Sequence, residues 1–175
     1  MAPKPLPSRE VLRQSLDYDA KTGKLSWRQR PDMADRWNTR WAGKPAFTTI
    51  GPSGYFFGQI NGEHYQAHRV IWKWWHGAEP VWIDHIDGNK LNNRIANIRS
   101  VTREVNAQNL PRPRTNSSGE MNVHKCPTTG RWRVQFAANH EVHRVGRFDT
   151  IEEAVAARNA AMAKHGFHPN HGRKE

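Results

Sequence analysis

The segment that most restricts the fold of this chain is a polar, asparagine-rich loop between two short apolar runs. The first run ends in an acid and an imidazole, Asp84-His85, and the second run is Ile98–Val101. Thr102 is suited to cap a short helix that begins directly after the second run. The sequence therefore predicts a strand–loop–strand–helix unit at about residues 81–110, within a chain of the α+β class.

This unit resembles a known family. The residues that carry the resemblance are Ile83-Asp84-His85-Ile86-Asp87-Gly88-Asn89, Asn92-Asn93-Arg94, Asn97-Ile98-Arg99 and Asn106. Their order is similar to the ββα-metal (His-Me finger) core of HNH nucleases, in particular the homing-type endonucleases of phages. The resemblance implies metal-dependent nicking or double-strand cleavage of DNA. It implies that Asp84 and Asn106 bind the metal ion, that His85 is the general base and that Asn97 supports the loop.

The residue types suit that chemistry. Hydrolysis of a phosphodiester needs a base that activates water and a cation that neutralises charge on the phosphate. His85 ordinarily titrates near neutrality, and the oxygens of Asp84 and Asn106 favour one Mg²⁺ or Mn²⁺ ion over zinc. Neighbouring residues of a strand point to opposite faces. Asp84 and His85 can therefore serve one site only if the backbone departs from regular strand geometry there. Many HNH enzymes have a second histidine in place of Asn106, whereas the phage homing branch often has asparagine.

The residues before this unit predict a hairpin and a helix. Asn61-Gly62 suits a tight type I′ turn between two strands within residues 54–66. Residues 68–76 predict a helix that Gly77 ends. A buried stripe on this helix is expected from four apolar residues: Val70, Ile71, Trp74 and Trp75. His68 is a candidate either for contact with phosphate or for packing, and Arg94 is a second candidate for phosphate contact.

Charge and cysteine content restrict the class of protein. Among 175 residues, Lys and Arg number 27 and Asp and Glu 16. Residues 1–110 carry 16 basic and 10 acidic side chains, and residues 111–175 carry 11 and 6, so both halves are basic. This excess predicts a polyanion as partner, here double-stranded DNA, although solubility alone could also explain it. One cysteine excludes structural zinc held by cysteines and an intramolecular disulfide framework. No apolar run spans a membrane, and we expect a monomer in the cytoplasm of a phage-infected bacterium.

A second module is expected at the C-terminal end. Residues 111–119 are rich in turn-forming residues and predict a linker between an HNH nuclease domain at residues 1–110 and a domain at residues 120–175. Alternating apolar residues in 132–136, a second strand at about 142–148 and a capping signature at Thr150 predict strands followed by a helix.

This C-terminal module has a resemblance of its own. The matching features are Ser118-Gly119, Val123, Gly130-Arg131-Trp132-Arg133-Val134, Val145-Gly146-Arg147-Phe148 and the alanine-rich helix after Thr150. They are similar to the three-stranded DNA-binding domain of APETALA and ethylene-response factors, which phage HNH endonucleases often carry. The resemblance implies a three-stranded antiparallel sheet packed on one helix, with the sheet in the major groove. Candidate DNA-binding residues are Arg112, Arg114, Lys125, Arg131, Arg133, Gln135, His143 and Arg144. Trp132 suits either DNA contact or the core.

Other classes of function stay open at this point. A non-catalytic, sequence-specific DNA-binding protein with a degenerate nuclease core would carry the same basic charge. An RNA-binding or virion structural protein is a third class, which would show little salt-dependent affinity for DNA. Cleavage of DNA that depends on a divalent metal distinguishes an HNH endonuclease from both of these alternatives.

Overall fold

A computed structural model describes residues 4–113, 115–169 and 171–173 of the chain. The chain forms two compact units, Met1–Val101 and Thr102–Glu175. This division precedes the sequence-predicted linker at residues 111–119. Residues on either side of that linker's start are hydrogen-bonded within the second unit, since Leu110 O accepts from Gly172 N and Arg112 N donates to Arg173 O. The predicted domain boundaries therefore stay a prediction.

Three helices and eight strands make up the described part of the first unit. The helices are α1 (Arg9–Ser15), α2 (Asp35–Trp41) and α3 (Ala67–His76). The strands are β1 (Leu16–Asp19), β2 (Lys24–Trp27), β3 (Pro45–Ala46), β4 (Thr49–Ile50), β5 (Phe56–Ile60), β6 (Glu63–Gln66), β7 (Trp82–His85) and β8 (Ile98–Val101). They form antiparallel sheets β1-β2-β3, β4-β5-β6 and β7-β8.

Local sequence signals set several of these elements. The Ser8 hydroxyl caps α1 by accepting from Val11 N. Asn61 and Gly62 both have positive φ, as the predicted type I′ turn between β5 and β6 requires. Gly77 ends α3 in the left-handed conformation. The sequence predictions for Asn61-Gly62 and for Gly77 are confirmed.

The core of the first unit lies between α1, α3 and the small sheets. Its fully buried side chains are Leu12, Leu16, Val70, Ile71 and Ile60. The predicted stripe on α3 is only partly correct. Val70 and Ile71 are buried and Trp74 is half-buried, but Trp75 is 40% exposed. The reason is that Trp75 follows the buried face by one residue near the end of the helix, where less of the core covers it.

Strands β7 and β8 carry the predicted catalytic residues. They pair antiparallel in regular register, with Asp84 opposite Arg99 and His85 opposite Ile98. The departure from strand geometry considered above is therefore not found at this pair. Instead the chain turns directly afterwards, where Gly88 N donates to His85 O and Gly88 has a φ of 75°. A single 3₁₀ turn, Ile95–Asn97, leads back into β8.

The second unit contains the predicted three-stranded sheet and helix. Its elements are α4 (Arg103–Ala107), β9 (Val123–Lys125), β10 (Trp132–Ala138), β11 (Glu141–Phe148) and α5 (Ile151–Lys164). The strand order is β11-β10-β9, all antiparallel. The register shifts after Val134, which pairs with Gly146, while the next pair is Gln135 with Arg144. This shift is a β-bulge next to Gly146.

Helix α5 covers one face of this sheet. The Thr150 hydroxyl caps it by accepting from Glu153 N, and Ala154 packs with Val123 and Val134 in a buried cluster. Small side chains allow the helix to lie close to the strands. Trp132 is half-buried against the same cluster, which favours the core alternative for this residue.

Candidate active site

His85 is buried at the end of β7, and only 4% of its surface is exposed. Its Nε2 lies 2.9 Å from Asn93 Oδ1. Because an amide oxygen only accepts, Nε2 carries the hydrogen, and in the neutral ring Nδ1 is the nitrogen that can take a proton. Burial lowers the pKa of His85, against the opposing effects of Asn93, Asp87 and Asp84. The imidazole is therefore neutral at neutral pH, which is the state that a base requires.

Two further rings pack around His85. The His68 ring meets the His85 ring edge-on, with centroids 5.4 Å apart, and Tyr55 lies 4.6 Å from His68 and 5.7 Å from His85. Burial, with the nearby charges of His85 and Arg69, lowers the pKa of His68 to about 3. His68 Nδ1 is buried and has no hydrogen-bond partner among the described residues. These surroundings favour packing over phosphate contact for His68, because a neutral, covered ring offers no charge to a phosphate.

Asp84 is held by the residue opposite it on β8. Both Nε and Nη2 of Arg99 donate to Asp84 Oδ2, at 3.0 and 2.8 Å. The carboxylate side chain is 7% exposed and the Arg99 side chain 35%. The arginine thus compensates a charge that would otherwise be costly to bury. The sequence interpretation assigned no role to Arg99, although a basic residue directly opposite an acid on paired strands is the signal that identifies it.

Asn97 organises the loop between β7 and β8. Its Oδ1 accepts from Asp87 N at 3.1 Å, and its Nδ2 donates to Asp87 Oδ1 at 2.9 Å and to Asn92 O at 2.8 Å. The Asp87 carboxylate also accepts from Asn89 N and from Asn92 Nδ2. These bonds tie both ends of the loop together, so the geometry suits the supporting role that the resemblance implies for Asn97.

Asn93 is the site residue that sequence reasoning did not single out. It is 2% exposed and is the hydrogen-bond partner of His85. The only sequence signal is its place in the Asn92-Asn93 pair, and nothing in that pair tells which amide reaches the histidine. Arg94, the candidate for phosphate contact, donates from Nε to Lys21 O at 2.7 Å. That bond gives Arg94 a structural partner inside the same unit.

Asn106 lies on α4, in the second compact unit. Its backbone N–H donates to Thr102 O, and the Thr102 hydroxyl accepts from Val105 N, so Thr102 caps this helix as expected. The helix ends at Ala107, two residues earlier than the sequence predicted. Asn106 is half-buried, and its role as a metal ligand stays a prediction.

The donor chemistry fits a hard divalent cation better than zinc. The residues predicted to hold the ion offer a carboxylate and an amide oxygen, which Mg²⁺ and Mn²⁺ prefer. Within the described residues, no three His, Cys, Asp or Glu side chains are grouped so that they could hold a metal. A cation bound here would accordingly keep positions for water and phosphate oxygens, as magnesium sites commonly do.

The outer face of the second unit's sheet is basic. Arg133 pairs with Arg147 and Gln135 pairs with Arg144 across β10 and β11, all on the face opposite to buried Val134. These side chains surround a hollow of about 470 Å³ at the bulge. The described residues provide no ion pair to Arg133, Arg144 or Arg147. Arg147 was not among the sequence candidates, although its place directly before Phe148, the inward-facing aromatic residue that ends the strand, puts it on this face.

His143 lies on the other side of this sheet. It pairs with Phe136, stacks on that ring at 5.3 Å and lies 4.1 Å from the His165 ring. The sequence predicted His143 on the same face as Arg133, and the structure corrects this prediction. The register shift at the bulge places His143 on the face that α5 covers. For this reason His143 is left out of the candidate DNA-binding face.

The remaining basic candidates lie at the borders of the second unit. Arg131 binds Asp149 at 2.7 Å at the sheet's edge. The Lys125 ammonium lies 5.6 Å from the centroid of Trp132. Arg112 is half-buried and its backbone N–H binds Arg173 O. Arg114 lies outside the described residues.

Part of the chain matches a known protein family. Residues 65–108 match the protein-family model described as HNH endonuclease. The matched segment includes all four residues of the predicted constellation: Asp84, His85, Asn97 and Asn106. An HNH endonuclease segment, as the sequence predicted, is thus confirmed.

Three relatives extend the comparison. "Protein 3.8" of Escherichia phage T7 is 29% identical over 103 residues, which are 58% of this chain and 85% of the phage protein. "Uncharacterized HNH endonuclease L560" of Acanthamoeba polyphaga mimivirus is 31% identical over 113 residues, 63% of this chain and 57% of the viral protein. YosQ, from the SPbeta prophage of Bacillus subtilis (strain 168), is 37% identical over 70 residues, 36% of this chain and 40% of YosQ; its name gives HNH homing endonuclease as a proposed activity. No solved structure matches the chain.

The family match ends at residue 108. The resemblance of the C-terminal module to the APETALA domain therefore stays a prediction. Among the described residues, the model contains no helix with the length and apolar character needed to cross a membrane.

Proposed function

We propose that the protein is a divalent-metal-dependent DNA endonuclease of the phage HNH homing type. The observation that carries the proposal is the state of His85, which is buried, neutral and hydrogen-bonded through Nε2 to Asn93 inside the segment that matches HNH endonucleases. A neutral imidazole with its proton fixed on Nε2 is ready to accept one on Nδ1.

In the proposed reaction a water molecule attacks the phosphorus atom and gives its proton to His85 Nδ1. The bond from phosphorus to the leaving sugar oxygen breaks, and that oxygen takes a proton from solvent. Asp84 and Asn106 would hold the Mg²⁺ or Mn²⁺ ion, which supplies positive charge beside the phosphate when bound. Arg99 orients Asp84 through two hydrogen bonds to Oδ2.

Binding of DNA is proposed for the outer face of the second unit's sheet. The support is a set of three arginines, Arg133, Arg144 and Arg147, around the hollow at the bulge, with Gln135 between them; none of the three has an ion pair among the residues that the structure describes. Arginines on a sheet face can bind phosphates and base edges. By this proposal Arg131, Lys125 and Arg112 border the contact and the protein acts as a monomer on double-stranded DNA in the host cytoplasm.

A plasmid-nicking assay tests the nuclease proposal. Purified full-length protein with Mg²⁺ or Mn²⁺ is expected to cut supercoiled plasmid or phage genomic DNA, and EDTA to stop the reaction. His85→Ala should remove cleavage but keep the gel shift. His64→Ala is the matched control, because His64 is exposed on β6 and its ring contact among the described residues is with Phe57. Equal loss of binding and cleavage in His85→Ala would contradict the role of His85.

The rival function is DNA binding without catalysis. It is favoured by the basic sheet face, which belongs to a unit that lacks Asp84 and His85. A protein that shifts phage DNA but leaves it uncut at all metal concentrations would establish the rival.

Arg147→Gln tests the proposed face, with Lys164→Gln as the control for charge, since Lys164 lies on α5 on the covered side of the sheet. Loss of one phosphate contact should lower the salt slope of binding by about 0.9 in Arg147→Gln only. Equal slopes in the two variants would exclude Arg147 from the contact.

A further inference from the structure

We infer that the N-terminal hairpin, strands β1 and β2, is a positioning element for His85, with Tyr18 as its main positioning residue. The hairpin lies outside the segment that matches the HNH endonuclease family, residues 65–108. The effect of this element on catalysis rests on the proposed function, whereas the contacts that join Tyr18, Asn93 and His85 do not depend on it.

The first contact joins Tyr18 to the residue that holds His85. The Tyr18 hydroxyl donates to Asn93 O at 3.0 Å, and the Asn93 side chain accepts from His85 Nε2. Burial raises the pKa of Tyr18 above its ordinary value of 10, so its hydroxyl remains a donor at any pH near neutrality. One residue, Asn93, therefore links the hairpin to the imidazole through its backbone on one side and its amide on the other.

The turn of the hairpin supplies two more contacts, one to the Arg94 side chain and one to the backbone that joins Asn93 to Arg94. Arg94 Nε donates to Lys21 O at 2.7 Å. Gly23, with a φ of 74°, lies so close that a Cβ there would come within 2.6 Å of Arg94 N and 2.7 Å of the Asn93 carbonyl carbon. Only glycine permits this approach. The three contacts together fix the backbone of Asn93 and Arg94 against the hairpin.

The loop itself does little to fix Asn93. Its side-chain hydrogen bonds join Asp87, Asn92 and Asn97 at the two ends. Among the described residues, the backbone N–H of Asn93 donates to Leu91 O alone, at 3.2 Å. A short polar loop of this kind has several accessible conformations, so contacts from outside it decide where the Asn93 amide points.

Tyr18 is itself well anchored. It pairs with Leu25 across the hairpin, and its ring meets Trp74 edge-on at 5.8 Å and Trp75 at 6.0 Å. Both tryptophans belong to α3, the helix whose first turn places His68 against His85. The hairpin and α3 thus hold the imidazole from its Asn93 side and from its ring face.

Tyr18→Phe tests the inference, since it removes one hydroxyl and keeps the ring contacts. In ¹⁵N-labelled full-length protein without metal or DNA at pH 7.5, the His85 nitrogen shifts should move from Nε2–H alone toward a mixture of tautomers. In cleavage assays kcat should fall by about tenfold with KM for DNA within twofold, because misplacement of a base affects the chemical step. Thermal unfolding separates this effect from loss of fold.

Arg94→Ala and Lys21→Ala form a matched pair. Arg94→Ala removes the donor and should lower kcat with KM unchanged, whereas Lys21→Ala keeps the backbone carbonyl and should change neither. A raised KM and a smaller salt slope in Arg94→Ala, with kcat unchanged, would instead make Arg94 a phosphate contact and overturn its place in the hairpin's role.

Unchanged His85 nitrogen shifts in both Tyr18→Phe and Arg94→Ala would overturn the inference as a whole. The shifts are read without DNA or cleavage, so they decide it even if the wild-type protein proves not to be a nuclease. Failure of the inference and failure of the proposed function are therefore distinguishable.

Discussion

Asn93→Asp replaces the amide nitrogen of the His85 partner with an oxygen and introduces a negative charge. It should shift the acid limb of the pH–rate profile of cleavage. In the wild-type protein, burial lowers the pKa of His85 from 6.5, so the base form is present at neutral pH and is lost only as pH falls through the lowered pKa. The introduced carboxylate would take the place of an oxygen 2.9 Å from Nε2 and stabilise the imidazolium.

The magnitude follows from the charge and its distance. An adjacent carboxylate raises the pKa of a histidine by about 1–3 units, and each unit corresponds to about 1.4 kcal/mol. Raising the pKa of a base moves the acid limb of the rate profile upward. We therefore expect the acid limb of kcat to shift by about 1–3 pH units toward higher pH, with a slower reaction at pH 7 and recovery above it.

The assay is single-turnover cleavage of phage DNA from pH 5 to 9 with saturating enzyme and a fixed metal concentration. Asn89→Asp is the matched control, because it adds the same charge to the same loop while its Oδ1 can still accept from Leu91 N. An acid limb that stays in place in Asn93→Asp, or one that moves equally in both variants, would refute the assignment of His85 as the base held by Asn93.

Three further predictions concern stability. Arg99→Ala removes the ion pair between Arg99 and the buried Asp84 carboxylate and should lower the free energy of unfolding by about 2–3 kcal/mol, with part of the loss recovered by added Mg²⁺, as measured by thermal unfolding. His68→Gln should make the protein more resistant to acid. The pKa of His68 in the folded protein is about 3, below its ordinary value of 6.5, so between these values the unfolded chain binds a proton that the folded chain does not. The free energy of unfolding of the wild-type protein therefore falls by about 1.4 kcal/mol for each unit by which the pH is lowered in this range. Gly58→Ala should cost about 1–3 kcal/mol in denaturant unfolding, because its Cβ would lie 2.8 Å from the Phe47 ring; combining it with Phe47→Leu should cost less than the two changes added together.

Each of these expectations has a contrary outcome. Magnesium that stabilises wild type and Arg99→Ala equally would mean that Asp84 does not bind the ion. Parallel acid-unfolding curves for wild type and His68→Gln would mean that His68 is protonated in the folded state. Strict additivity of Gly58→Ala and Phe47→Leu would show that the two side chains do not meet.

Sequence patterns succeeded where the signal is local. The type I′ turn at Asn61-Gly62, the end of α3 at Gly77 and the cap at Thr150 are each decided by a few adjacent residues. Alternation in β10 also predicted its buried and exposed faces, because side chains alternate along any strand. His143 was misplaced because the one-residue shift at the bulge puts the residues before it in β11 on the opposite side from the one that simple alternation back from Arg147 predicts.

The order of Asp84, His85, Asn97 and Asn106 was enough to indicate an HNH endonuclease segment, since the chemistry restricts both residue types and spacing. The partners of these residues were not visible in the same way. Arg99 reaches Asp84 only because the strands pair in one register, and Asn93 rather than Asn92 reaches His85 only because the loop folds back.

The sequence by itself determined the local elements and the reactive residues, because turns, caps and alternating strands depend on neighbours along the chain. Tertiary structure alone decided which groups surround those residues. Tyr18 and Asn93 are 75 positions apart, yet one hydrogen bond joins them. Burial of His85 depends in the same way on Tyr55, on His68 of α3 and on Asn93 of the loop. Such contacts join residues that are far apart in the sequence but close in space, so no pattern along the chain specifies them.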